Sequence, residues 1–224
     1  MEDKPDTRQS RFMGMPQHDL GLRDTALLII DMQYLDAHLD YGTCRRARDA
    51  GEDLAYYDQR LKLAVPNIAE LLSAFRIRKM EVIYSHIASL TPDGRDRSLS
   101  HKKAGIHAPP GSREVQILEE IAPVSGEIIL SKTVASVFAG TMIDYVLRNI
   151  GISTIVLAGV LTSGCVYSAM HDAYNRNYNV VLVEDACADL DREFHKNSID
   201  VFRVAAMVTS TRGLIERLPV GTGA

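Results

Sequence analysis

Cysteine is scarce in this chain: three in 224 residues, at Cys44, Cys165 and Cys187, with no close pair. An odd, scattered set argues against a disulfide framework and against a cysteine-rich zinc site. Long apolar runs are missing too. None approaches the roughly 20 residues that a membrane-spanning helix requires, so no membrane partner is expected. The formal net charge is only −4, which gives no electrostatic reason to expect a nucleic-acid partner. Residues 1–17 are polar with scattered charges and lack the apolar centre of a signal peptide, so a cytoplasmic location is expected. No strand-like run is followed by G-x-G-x-x-G or a P-loop, which removes the common nucleotide-binding fingerprints. Internal repeats and low-complexity tracts are absent.

What is present is enough apolar material for one full core: 46% of 224 residues. Residues 1–22, with Pro5 and Pro16, read as an N-terminal arm, and 23–224 as one domain. Six apolar runs read as strands: 25–31, 81–85, 127–131, 154–158, 180–184 and 205–209. Between them the pattern turns helical. Leu61, Val65, Ile68, Leu71, Leu72 and Phe75 share one face, and Pro66 is expected in a first turn or at a kink. Residues 32–57 read as a long loop with a short helical piece, broken at Gly42 and Gly51. A helix is expected over 114–120, and another over 141–149 with Met142, Tyr145, Val146 and Ile150 inward and Gly151 closing it. Further helices are expected after Cys165, over 193–204, and up to about Leu218. Strict alternation predicts an α/β, three-layer, doubly wound fold around a six-stranded, mainly parallel sheet.

In such a sheet the ligand crevice lies beyond the carboxyl ends of the strands. Asp31 ends the first strand, Lys132 follows the third, and Cys165 follows the fourth through the small-residue turn Thr162-Ser163-Gly164. A carboxylate, an ammonium and a thiol are therefore expected at one sheet edge. The carboxylate can take the thiol proton and return it to a leaving nitrogen. Lysine and a helix N-terminus both favour thiolate, and the backbone N–H groups there can hold an oxyanion.

Three segments then carry a resemblance: Leu27-Leu-Ile-Ile-Asp-Met-Gln33, Ser131-Lys-Thr-Val-Ala-Ser-Val-Phe-Ala-Gly-Thr141 and Gly159-Val-Leu-Thr-Ser-Gly-Cys-Val166. With His171-Asp172-Ala173 and Val183-Glu184-Asp185-Ala186 they stand in matching order over about 24–218. The chain resembles the isochorismatase-like cysteine hydrolases, a group that includes nicotinamidases, N-carbamoylsarcosine and maleamate amidases, biuret and triuret hydrolases and ureidoacrylate amidohydrolases. The resemblance implies a triad of Asp31 (proton shuttle), Lys132 (electrostatic partner) and Cys165 (nucleophile). It implies a cis peptide between Val160 and Leu161, and an oxyanion hole from the Leu161 and Cys165 N–H groups. It places Gln33, Phe138 and Tyr167 at the substrate, with Ser136 beside Phe138 on the pocket floor, and it implies a homodimer or homotetramer.

The implied activity is hydrolysis of a C–N bond in a small linear amide or ureido compound, with release of ammonia and no cofactor. The Asp-x-His metal motif of nicotinamidases is not found: His86 stands alone, so no metal is expected. Where N-carbamoylsarcosine and maleamate amidases tend to carry arginine, two residues past the cysteine, this chain has Tyr167. That shifts the expectation toward a neutral ureido or amide substrate, although Arg95, Arg97 or Lys102 could still clamp a carboxylate. The alternatives are therefore a maleamate-type, carboxylate-bearing substrate, or a non-catalytic binding or scaffold protein on the same fold.

Overall fold

The computed structural model describes residues 16–220, so only the last part of the expected arm is seen, and Leu20 packs into the domain core. The strands are β1 (Thr25–Ile30), β2 (Glu81–Ile87), β3 (Ile128–Lys132), β4 (Thr154–Val160), β5 (Asn179–Ala188) and β6 (Met207–Thr209). They form one sheet in the order β3-β2-β1-β4-β5-β6, and every pairing is parallel. Among the described residues eight helices cover the sheet: α1 (Gly42–Asp49), α2 (Ala55–Ile77), α3 (Leu99–Lys103), α4 (Val137–Gly140), α5 (Ile143–Asn149), α6 (Tyr167–Asn175), α7 (Arg192–Ala205) and α8 (Thr211–Arg217).

β1 and β4 pair in the middle and are buried along their whole length, as their uninterrupted apolar runs require. Alternation then divides the core. Leu27 and Ile29 face the layer of α2 and α8, whereas Ala26, Leu28 and Ile30 face the layer of α4 to α7. The chain winds outward from β1 to β3, returns to β4 and winds outward again. The strand order therefore reverses between β1 and β4, the point at which open α/β sheets place a ligand crevice beyond the carboxyl ends of the strands.

Tertiary contacts overrule several local expectations. α2 begins at Ala55 and carries Pro66 in its interior. Pro66 faces solvent, where water can bond the carbonyl it leaves free, so the helix continues. α1 fits between Gly42 and Gly51, neither of which prevents it. Gly42 instead lies at φ +50, where a Cβ would meet the Leu35 carbonyl at 2.1 Å. Residues 114–120 are not a helix. Two 3-10 turns, Arg113–Val115 and Glu119–Ile121, flank an extended piece. The segment supplies the Glu114, Gln116 and Leu118 backbone groups that pair with Leu35, Tyr34 and Met32. In α5 the buried side chains are Ile143 and Leu147, while Met142 and Tyr145 are 65% and 69% exposed, so the apolar face expected inward points outward.

Gly159 is where the two central strands come closest to failing. It has φ +123, and a Cβ there would sit 2.1 Å from the Ile30 carbonyl oxygen. Gly159→Ala is expected to lower unfolding free energy by about 3 kcal/mol. Gly151→Ala, also at positive φ but facing open space, should cost about 1 kcal/mol. Denaturant midpoints of the two variants check the difference.

Candidate active site

Asp31 is the first residue past β1 and turns the chain sharply, with φ +54, a region that aspartate tolerates better than most side chains. Its N–H donates to the Ser85 carbonyl at 2.9 Å, fixing it to the end of β2. Lys132 is the last residue of β3, two strands away, or about 10 Å at ordinary sheet spacing. Its long stem spans β2. The Lys132 Nζ donates to Asp31 Oδ2 at 2.6 Å, to the Val134 carbonyl at 3.2 Å and to Cys165 Sγ at 3.3 Å. Asp31 and Lys132 are each 1% exposed. The structure therefore brings together the acid, the amine and the sulfur read from three distant segments.

Cys165 sits in a wide helical turn, Thr162–Val166, that runs into α6. Gly164 breaks its helical geometry at φ −112 and ψ −105. The turn is tied down from outside. Asp189, buried at the end of β5, accepts the Ser163 N–H at 2.5 Å and the Leu190 N–H at 2.9 Å. Thr162 Oγ1 donates to the Ala188 carbonyl at 3.1 Å, which leaves it to accept from His195 Nδ1 at 2.9 Å. Burial, assisted by Arg60, holds the His195 pKa down at about 4, so the ring is neutral. The Val160–Leu161 peptide is cis.

Electrostatics at the sulfur run against the simplest expectation. Burial pushes the Cys165 thiol well up, the Asp31 carboxylate pushes it further, and Lys132 pulls it only partly back. Burial and Asp31 together favour the thiol over the thiolate. Lys132 is held above the ordinary lysine value: burial opposes its charge, but Asp31 and Cys165 outweigh burial. Among the described residues Asp31 Oδ1 is buried without a hydrogen-bond partner.

The expected substrate contacts fare differently. Gln33 is held by backbone. Its amide donates to the Ile87 carbonyl at 2.8 Å and to the Glu114 carbonyl at 2.7 Å, and accepts the Ile87 N–H at 2.5 Å. Backbone holds that side chain, so it braces the loops over the site and has no donor left for a ligand. Phe138, in α4, is buried against Tyr178 with Arg176 over its ring, in the core cluster against which Cys165 packs. The Ser136 hydroxyl donates to Asp172 and accepts the N–H groups of Phe138 and Ala139, which seats α4. Tyr167 packs on His171 and Phe202. Arg97 and Lys102 are spent inside their own loop, on the carbonyls of Gly94, Ile106 and Arg95.

His86 has both ring nitrogens bonded, to the Val115 carbonyl and the Ser131 hydroxyl, each at 2.8 Å. Among the described residues no group of three or more His, Cys, Asp or Glu is placed to hold a metal, and no helix is long and apolar enough to cross a membrane.

One neighbour was not singled out in the sequence. Asp36 lies in the turn after β1, bonded through Oδ1 to the Thr43 hydroxyl at 2.7 Å. Burial lifts its pKa to about 6, and Asp31 adds to the rise. Only its place shortly after a strand-ending carboxylate could have marked it.

Lys132→Met leaves the Asp31 charge buried alone and is expected to cost about 3–5 kcal/mol of stability, much of it recovered in an Asp31→Leu/Lys132→Met double variant. Because folding raises the lysine pKa, the pair's contribution is complete below the unfolded value of about 10.4 and is lost as pH rises through the folded value. Equilibrium unfolding from pH 7 to 11 checks both statements.

Comparison with known proteins agrees with this geometry. The isochorismatase domain family matches residues 25–213. A ureidoacrylate amidohydrolase of Agrobacterium fabrum is 29% identical over 188 residues, covering 76% of this chain and 78% of that enzyme. A maleamate amidohydrolase of Pseudomonas putida is 30% identical over 138 residues, 61% of this chain and 65% of that one. The crystal structure of N-carbamoylsarcosine amidase from Thermoplasma acidophilum superposes with a TM-score of 0.65 at 27% identity, covering 84% of this chain and 96% of that one. A cysteine hydrolase from Pseudomonas syringae pv. phaseolicola shares the fold with a TM-score of 0.78 at 24% identity, covering 91% and 96%. With its sheet order, its strand-end residues and a family match over most of its length, this chain belongs to the isochorismatase family.

Proposed function

We propose that this chain is an amidohydrolase that cleaves a C–N bond other than a peptide bond, in a small linear amide or ureido substrate, through a thioester on Cys165. The observation that carries the reading is the joint contact of Lys132 Nζ with Asp31 and Cys165 Sγ in a buried setting. The named relatives, amidohydrolases of ureidoacrylate and maleamate, support the reaction class.

In the proposed cycle Asp31 takes the Cys165 proton as sulfur bonds to the carbonyl carbon. The backbone N–H groups of Leu161 and Cys165 stabilise the oxyanion, and Lys132 keeps Asp31 oriented. The C–N bond then breaks as Asp31 returns the proton to nitrogen, and ammonia leaves. Water attacks the thioester, giving its proton to Asp31. The C–S bond breaks, the sulfur regains a proton, and the acid is released. A thiol at rest fits this order, because the proton moves only when a carbonyl is present to be attacked.

The second reading, a carboxylate-bearing substrate, is favoured by the same two relatives, whose names specify ureidoacrylate and maleamate. Self-association into a homodimer or homotetramer belongs to the proposal. The exposed apolar side chains Met142 and Tyr145 on α5 support it, and a monomer in sizing chromatography would remove it.

Ammonia release across biuret, triuret, maleamate, N-carbamoyl amino acids and nicotinamide tests the activity. Cys165→Ser should lower turnover on the accepted substrate by about 10³-fold or more while retaining binding. Near wild-type turnover in that variant would end the cysteine mechanism, and silence across the panel would favour a scaffold role.

A further inference from the structure

The connection after β5 carries two carboxylates close together, and the fold uses them differently. Asp191 is exposed and caps α7, where its Oδ1 accepts the Glu193 and Phe194 N–H groups at 2.8 and 2.9 Å. Asp189 is 1% exposed. Its Oδ1 accepts the neighbouring Leu190 N–H at 2.9 Å, but its Oδ2 accepts the Ser163 N–H at 2.5 Å, in the turn that carries Cys165. A carboxylate taken out of water is unfavourable unless hydrogen bonds replace that water, and bonds from N–H to a carboxylate are among the stronger ones.

The middle of the Cys165 turn has little else to hold it. Thr162 and Val166 are fully buried and fixed by packing, whereas Ser163 between them is exposed. The β4–β5 ladder ends with Val160 opposite Ala188. Beyond it the Thr162 hydroxyl donates to the Ala188 carbonyl, and the Asp189 side chain takes the N–H of Ser163. The Gly164 and Val166 N–H groups both donate to the Leu161 carbonyl, at 2.9 and 3.2 Å, which shapes the turn without fixing it against the sheet. Gly164 interrupts the helical geometry just before Cys165. On the outer flank a cavity of about 500 Å³ is bordered by Leu161, Ser163, Asp189 and the exposed Phe194, so no close packing presses on the turn from that side.

Resting on the amidohydrolase reading above, we propose that Asp189 is a positioning residue for the oxyanion hole. Ser163 stands midway in sequence between Leu161 and Cys165, whose N–H groups that reading assigns to the oxyanion. Held at Ser163, the arc keeps both N–H groups aimed at one point; released, it has the cavity to relax into. The oxyanion exists only once the carbonyl is attacked, so the loss falls on kcat and not on substrate binding. Removing one oxyanion donor costs about 10²–10³-fold in kcat, and a displacement of about 1 Å costs about 10²-fold, so an effect near 100-fold is expected.

The test uses the full-length enzyme and the amide that releases most ammonia in the panel above. Asp189→Ala should lower kcat about 100-fold with KM within about threefold. Asp189→Asn, which keeps an acceptor oxygen in the same shape, should recover about tenfold or more of that loss. Asp191→Ala removes the α7 cap and should lower the denaturant midpoint while leaving kcat within about twofold, which separates loop stability from positioning. Alkylation of Cys165 by iodoacetamide forms no oxyanion, so its rate in Asp189→Ala, followed by mass spectrometry, should stay within about threefold of wild type. Asp189→Ser serves if the alanine variant does not fold. An unchanged kcat, a loss carried by KM, an asparagine variant no better than alanine, or alkylation that falls in step with kcat overturns the assignment. Wild-type silence across the panel would sink the hydrolase reading instead. Asp189 is then judged on isotope-labelled propionaldehyde, where the Cys165 sulfur bonds to the carbonyl carbon and the thiol proton passes to the carbonyl oxygen. A dissociation constant for that adduct raised about tenfold in Asp189→Ala upholds the assignment, and an unchanged constant or no wild-type adduct overturns it.

Discussion

The structure depends on one buried ion pair. Asp31 and Lys132 meet at 2.6 Å and are almost wholly removed from water. Either charge alone in that place would be strongly unfavourable, so the pair is tolerated only because each group satisfies the other. This constrains the topology. β1 and β3 must end at the same edge, with β2 thin enough between them for a lysine stem to cross. The pair also sets the state of the sulfur. With one carboxylate and one ammonium already in balance, a thiolate would add an unmatched negative charge in a buried site. Burial and the Asp31 carboxylate therefore both favour the protonated thiol.

Backbone, more than packing, keeps these groups in place. Asp31 adopts a left-handed conformation, and Gly159 lets β4 approach β1 closely enough to align the two strand ends. Asp189 and Thr162 tie the Cys165 turn to the end of β5. The Gln33 amide joins the end of β2 to the 113–121 segment. The Asp189, Thr162 and Gln33 side chains are polar and partnered by main chain, so each fixes a position as well as satisfying a buried group. Geometry set in this way needs no help from the substrate to assemble.

Much of this was legible in the sequence, for a physical reason. Continuous apolar runs such as Leu27–Ile30 and Ile155–Ala158 have one stable use in a parallel sheet, and the rule on strand ends then locates Asp31, Lys132 and Cys165. The losses fall where local and tertiary preferences compete. α5 has two apolar stripes, and only packing against the second core chooses Ile143 and Leu147. The 114–120 segment has helix-forming composition, but the unpaired backbone of 32–35 claims it. Gln33 stands in a segment that carries the resemblance, yet nothing in its spacing reveals that both of its amide N–H groups go to main chain.

These two kinds of legibility suggest how such a site divides its work. The groups that perform the proposed bond-breaking stand at the ends of buried strands, where the sheet leaves them little freedom. Asp36, Asp53 and Asp189 stand on the connections after β1 and β5, where length and charge can vary without disturbing the core. A change of substrate therefore needs no change in the ion pair, only a change in the sign of the loops that face it. Asp31 already neutralises the Lys132 charge within the ion pair, so the electrostatic character of the surroundings is set by the connections around the pair and not by the pair itself.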